Sequence, residues 1–255
     1  MVELVHFQSD RFTIPAFLAR PSAVPAEGAP GVLVLHEWWG LNDSIKERAR
    51  RFAEAGFAAL APDLYARLGS TEISLREISQ YATIDKIPRP RPGYFIVTDR
   101  PTEAAGLMSS LSSQAVLRDL LAATRFFKQQ PGVDAQRIGL IGFSMGGTFA
   151  LTQASHNSDL KAVVAFYGKV PPIETLRFQV CPIQYHYPAK DAWVTPDEVQ
   201  RLSDGFARYG KTGQVHRYPD ADHAFFNHAR AEAYRAQDAA LAWDRTLTFL
   251  RRYLQ

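Results

Sequence analysis

Short apolar runs alternate with longer stretches of helical spacing along most of the chain. Gly31 to Leu35 reads GVLVL and carries no polar side chain, the pattern of a strand covered on both faces of a parallel sheet. From Asn42 to Ala55 the period changes. Ile45, Ala49 and Phe52 fall on one helical face, Asn42 or Asp43 can cap the start, and Gly56 supplies a stop. Phe57 to Ala61 predicts the next strand, ended by Pro62. The same alternation returns in Arg137 to Phe143 followed by a helix from Gly146 to Ala154, and in Lys161 to Tyr167 followed by a loop with Pro171 and Pro172. Cys181 to Tyr187 then leads into a helix from Pro196 to Tyr209. Gln214 to Tyr218 predicts a last strand, and about Ala231 to Tyr253 a closing helix. At the amino end, Val2 to Phe7 and Arg11 to Ala19 read as a hairpin around Ser9 and Asp10, with a loop from Pro21 to Pro30. The alternation predicts an α/β protein with a mostly parallel central sheet and helices on both faces. Sites in such sheets lie beyond the carboxyl ends of the strands.

One segment breaks the rhythm. Leu64 to Met108 holds Pro88, Pro90, Pro92 and Pro101 with an aromatic patch at Tyr94 and Phe95, and reads as an irregular excursion over the sheet edge. Helix is expected to resume at about Ser112 to Gln130. No internal repeat is visible, so residues 1–255 are expected to form a single domain.

Composition narrows the function classes. Of 255 residues, 46% are hydrophobic and 22% charged, enough to build one large core. The net charge of +3 is dispersed, and no block of like charges marks a nucleic-acid or lipid face. Arg50 with Arg51, and Arg251 with Arg252, read as solvated helix faces. A single cysteine, Cys181, excludes an intrachain disulfide and a zinc ribbon. No apolar run approaches the roughly 18 residues of a membrane span. A soluble, cytoplasmic protein without nucleic-acid or membrane partners is expected, as monomer or weak homodimer.

The chemistry concentrates in three places. At the end of the GVLVL strand stand His36, Glu37, Trp38, Trp39 and Gly40. This is not the H-E-x-x-H of a zinc protease, since Gly40 occupies the fifth position and the segment is not helical; no metal is expected. Gly142-Phe143-Ser144-Met145-Gly146 matches G-x-S-x-G, running out of one apolar strand and into a helix. That pattern suits a nucleophile on a very sharp turn, where side chains at Gly142 and Gly146 would collide, and it makes Ser144 the candidate nucleophile. A serine hydroxyl needs a base, and the base an orienting acid. Of seven histidines, His223 lies just beyond the last strand, in PDADHAFF. Asp191 follows the Cys181 to Tyr187 strand in a short loop and completes the order Ser, Asp, His. In such sites one oxyanion-binding amide belongs to the residue after the nucleophile, here Met145, and the other to the HEWWG loop.

Three stretches in order, LHEWWGLND, APDLYAR at 61 to 67 and GFSMGG, with the Asp191 loop and DHAF at 222 to 225, resemble the dienelactone hydrolase family of α/β-hydrolases over nearly the whole chain. The resemblance implies an α/β-hydrolase fold with Ser144, Asp191 and His223 as its triad. It also implies the Trp38 amide as second oxyanion donor, and Glu37 as an acid beside the nucleophile that helps set its resting state. His36 is expected to buttress the loop. Many members of the family carry a cysteine nucleophile, whereas this chain has Ser144, and Cys181 is expected to be inert.

The expectation is therefore a cofactor-free carboxylesterase acting on a small-molecule ester or lactone through an acyl-enzyme, with Trp38, Trp39, Tyr94, Phe95 and Phe225 lining or supporting its pocket. The family's arginine grip on a substrate carboxylate is altered: Asn227 and His228 follow the histidine, Arg230 stands slightly beyond, and Arg76, Arg89, Arg91 and Arg100 are left as unplaced candidates. The same triad on a peptide or thioester, or a non-catalytic binding protein of this fold, are the alternatives.

Overall fold

A computed structural model of the chain describes residues 1–70 and 95–254. Among these residues eight strands form one sheet: β1 (Val2–Ser9), β2 (Phe12–Ala19), β3 (Ala29–Leu35), β4 (Ala58–Pro62), β5 (Val133–Phe143), β6 (Leu160–Phe166), β7 (Ile183–Pro188) and β8 (Gly213–Tyr218). Their order across the sheet is β1-β2-β4-β3-β5-β6-β7-β8. β1 and β2 form the expected hairpin, and β2 runs antiparallel to β4; every pairing from β4 through to β8 is parallel.

Strand side chains alternate between two cores, as the two-residue period requires. Leu33 and Leu35 of β3, with Val163 and Ala165 of β6, enter one core; Val32 and Val34, with Val164 and Phe166, enter the other. The first core is closed by α2 (Pro101–Ser109), α3 (Ser113–Lys128), α4 (Met145–Gln153) and α5 (Pro196–Arg208), and the second by α1 (Asp43–Glu54) and α6 (Ala236–Leu254). Packing is what holds these helices. α6 buries Phe249, Leu250 and Leu254, each favoured by roughly 1.5–3 kcal/mol, well above the roughly 0.2–0.5 kcal/mol of a helix-surface pair.

Asn42, one of the two expected caps of α1, accepts the Ile45 N–H at 3.3 Å, and Thr195 with Glu198 closes a reciprocal cap on α5. Other expectations shift. β5 starts at Val133, because Ala29 N–H bonds to Gly132 O and Ala29 pairs with Val133 before the register slips. The stretch before Ser112 contains α2, started by Pro101. The closing helix begins at Ala236, since residues before it are tied back by Arg235 N–H donating to Phe225 O. Arg51 is half-buried with its guanidinium 4.2 Å from the Trp243 ring centroid, whereas Arg50, Arg251 and Arg252 are exposed. No described helix is long and apolar enough to cross a membrane.

Candidate active site

Ser144 sits between β5 and α4 in a backbone conformation L-residues rarely adopt, φ 53° and ψ −117°. The turn is possible because Gly142 and Gly146 meet across it: a Cβ on Gly142 would lie 2.0 Å from Gly146 O, and one on Gly146 2.6 Å from His36 O. The Ser144 N–H donates to Phe166 O at 2.9 Å, which anchors the elbow to β6. Four described non-glycine residues have positive φ, and three of them, Ser144, Tyr167 and Ala224, surround one site. Strain of this kind costs on the order of 1–3 kcal/mol per residue and persists only where surrounding structure enforces it.

The loops after β7 and β8 bring the acid and the base. Asp191 Oδ1 accepts the N–H groups of Trp193 (2.7 Å) and Val194 (3.1 Å), leaving Oδ2 for His223 Nδ1 at 2.8 Å. That carboxylate contact puts the imidazole proton on Nδ1. His223 Nε2 is then free to accept the Ser144 hydroxyl at 2.9 Å. The Asp191 side chain is fully buried and that of His223 is 31% exposed, so the acid is sheltered while the base opens to the cleft. The competing histidines lie elsewhere: His6 and His156 are exposed, His216 lies in β8, and His228 packs against Tyr234.

The HEWWG loop borders the same space. Glu37 is 3% exposed, and its carboxylate accepts Tyr167 Oη–H at 3.1 Å and Asn227 Nδ2–H at 2.5 Å. Arg48 Nη1 lies 3.7 Å away, buried on α1 with its guanidinium 4.1 Å from the Phe143 ring centroid. The sequence reading missed Arg48 and Tyr167; a lone arginine on the apolar face of α1, between Ile45 and Phe52, was the available sign. Burial first, and then the neighbouring Glu37 charge, drive the Tyr167 hydroxyl well above its ordinary pKa, so it acts as a donor. The backbone N–H groups of Trp38 and Met145 make no hydrogen bond among the described residues.

A cleft of about 670 Å³ opens over Ser144, walled by Trp38, Trp39, Trp193 and Met108, with Lys190 and Arg230 among the residues around it. Both cations have partners: Lys190 lies 3.3 Å from Asp220, and Arg230 pairs with Glu232 while resting 4.8 Å from the Trp39 ring centroid. Two expected wall residues, Phe225 and Phe95, are not among those that line it. Phe225 is fully buried among Tyr167, Phe166 and Tyr218, because the turn at Ala224, φ 67°, aims His223 outward and sends the next ring into the core. Phe95 is half-buried beneath the Lys46 ammonium, 5.0 Å from its ring centroid. Tyr94, with Arg76, Arg89 and Arg91, lies outside the described residues. Arg100 is exposed and bonds to Glu103. No cluster of three or more metal-binding side chains occurs among the described residues.

Known proteins give this geometry a context. A Methylorubrum extorquens protein assigned as a carboxymethylenebutenolidase is 31% identical over 252 residues, 94% of this chain and 77% of its own length. A Bradyrhizobium protein assigned as a 2-oxo-3-(5-oxofuran-2-ylidene)propanoate lactonase is 30% identical, covering 94% of this chain and 89% of its own. Among solved structures, a Klebsiella pneumoniae protein assigned as a dienelactone hydrolase superposes with a TM-score of 0.83 at 29% identity, over 99% of both chains. The model of the dienelactone hydrolase family matches residues 14–254, and the chain belongs to that family.

Proposed function

We propose that the protein hydrolyses carboxylic esters or lactones through an acyl-enzyme on Ser144. The observation that carries this reading is the hydrogen-bonded chain from Ser144 Oγ through His223 to Asp191, with its serine held at a strained elbow. Ser144 Oγ attacks the carbonyl carbon as His223 Nε2 takes its proton. Asp191, held by two amides, keeps the imidazole in the working tautomer and stabilises its cation. The tetrahedral oxygen takes up the negative charge and faces the Met145 and Trp38 N–H groups. His223 returns the proton to the departing alkoxide, and the acyl-enzyme is cleaved by water activated at the same imidazole. In a lactone the leaving group stays attached to the acyl chain.

The names of the relatives support lactone or ester chemistry. The cleft favours uncharged substrates, because its walls are aromatic and the two cations among its described residues are already matched by Asp220 and Glu232. The test is a panel of p-nitrophenyl esters alongside a carboxylate-bearing lactone, run on the parent and on Ser144→Ala. Turnover of neutral esters, abolished in the variant together with fluorophosphonate labelling, is expected. Full turnover by Ser144→Ala overturns the mechanism, and strong preference for the anionic lactone overturns the substrate class.

A further inference from the structure

His36 directly follows β3 and is completely buried, and its two ring nitrogens meet two backbone groups of fixed character. The Leu64 N–H, which can only donate, lies 3.0 Å from Nε2. The Glu37 carbonyl oxygen, which can only accept, lies 2.6 Å from Nδ1. Nε2 must therefore be the acceptor and Nδ1 the protonated nitrogen, so the surroundings allow one neutral tautomer. Asp63, 3.7 Å from Nε2, does not change this, because its oxygens already accept the N–H groups of Tyr65 (2.9 Å) and Ile96 (3.1 Å).

The bond to Glu37 O matters because of what lies across the same peptide. No described peptide bond is cis, so the Trp38 N–H points opposite to the Glu37 carbonyl. Holding that carbonyl against the buried imidazole, with Gly40 N–H as its second donor at 3.2 Å, turns the Trp38 N–H away from the core. Trp38 itself and Ser144 line the cleft. The following peptide is pinned as well, since Tyr65 Oη–H donates to Trp38 O at 2.8 Å and the Tyr65 ring lies 5.1 Å from that of His36. One imidazole thus couples the loop after β4, which supplies Leu64, to the loop after β3, which supplies Trp38.

We infer that His36 is a positioning residue for the oxyanion hole: locked as the Nδ1–H tautomer by Leu64, it fixes the Glu37–Trp38 peptide so that the Trp38 N–H faces the developing oxyanion. The inference rests on the proposed reading in which that amide is one of the two donors. A histidine that merely filled the core would affect stability; this one sets transition-state affinity.

The test compares His36→Phe, which removes both ring contacts, with His36→Asn, whose Nδ2–H can take the place of Nδ1–H. Three quantities are measured: kcat and KM on a neutral p-nitrophenyl ester, and the affinity of a trifluoromethyl ketone, which binds as a tetrahedral oxyanion. His36→Phe should lower kcat by about a hundredfold, with KM changed by no more than about threefold and the ketone weakened roughly in step with kcat. His36→Asn should recover about tenfold of the loss. In the parent protein, ¹⁵N spectra of the neutral ring should show the His36 proton on Nδ1 and Nε2 bare. A folded His36→Phe protein with parent-like kcat and ketone affinity overturns the inference, and so does a proton on Nε2, a measurement that decides the matter even if the phenylalanine variant does not fold. Full turnover by Ser144→Ala would instead sink the underlying site reading.

Discussion

Asp191 and His223, 32 residues apart in the chain, meet with Oδ2 and Nδ1 separated by 2.8 Å, and this contact decides which face of the imidazole is free to act. The carboxylate cannot drift, because its other oxygen holds two backbone amides of its own loop. Replacing Asp191 by Asn presents an amide that can donate to Nδ1 and favours the opposite tautomer. Steady-state kinetics on an activated ester should show kcat reduced on the order of 10⁴-fold, with the fold retained.

Arg48 and Glu37 are 1% and 3% exposed, so removing one partner strands the other in the interior. Arg48→Met should lower unfolding free energy by about 3–5 kcal/mol in denaturant titration. Adding Glu37→Gln should give back much of that loss, because the two effects are coupled. Simple additivity of the two substitutions would contradict the pairing.

Cys181 offers a control on the identity of the nucleophile. It lies just before β7, 5% exposed, and burial pushes its thiol up to about 12. The thiolate is the reactive form. Iodoacetamide should therefore leave ester turnover unchanged in the native protein and label the thiol only after denaturation. Rapid inactivation of the native enzyme would contradict this placement.

The protein should lose stability in mild acid. His186 is fully buried against Tyr218, Gln184 and Thr246, and burial holds its pKa well below the usual histidine value. Above about pH 6.5 both folded and unfolded forms of this side chain are neutral, and it contributes nothing to the pH dependence. Below that, the unfolded chain binds a proton that the folded chain refuses, so stability falls by up to about 1.4 kcal/mol per pH unit. His216, its pKa lowered chiefly by desolvation, acts in the same direction. Denaturant midpoints at pH 7.5 and 5.5 measure the effect, and equal midpoints would refute it.

Much of the layout could be read from residue identities. A sharp elbow needs glycine on both sides of the serine, and the backbone approach of Gly142 to Gly146 is the reason. Asp191 and His223 were legible because each sits in the short loop that follows a strand of the parallel sheet, and the structure brings both to Ser144. The cleft walls were less legible. Trp193, Met108, Lys190 and Arg230 reach it through loop and helix-end orientation, which no periodicity encodes, while Phe225 turns inward because Ala224 takes a left-handed conformation. Arg48 escaped because a charged residue on an amphipathic helix is ordinarily solvated; its partner Glu37 belongs to another element altogether.

Met108 differs from its neighbours in the cleft in one respect. It comes from α2, which supplies none of Ser144, Asp191, His223 or the Trp38 N–H, whereas Trp39 shares a loop with Trp38, the wall at Lys190, Ala192 and Trp193 shares one with Asp191, and that at Ala224, Arg230 and Glu232 shares one with His223. Reshaping any of those loops risks moving Trp38, Asp191 or His223. Exchanging Met108 for smaller or larger apolar side chains alters one wall of the cleft and leaves those loops untouched, so the scaffold can be redesigned there without displacing them.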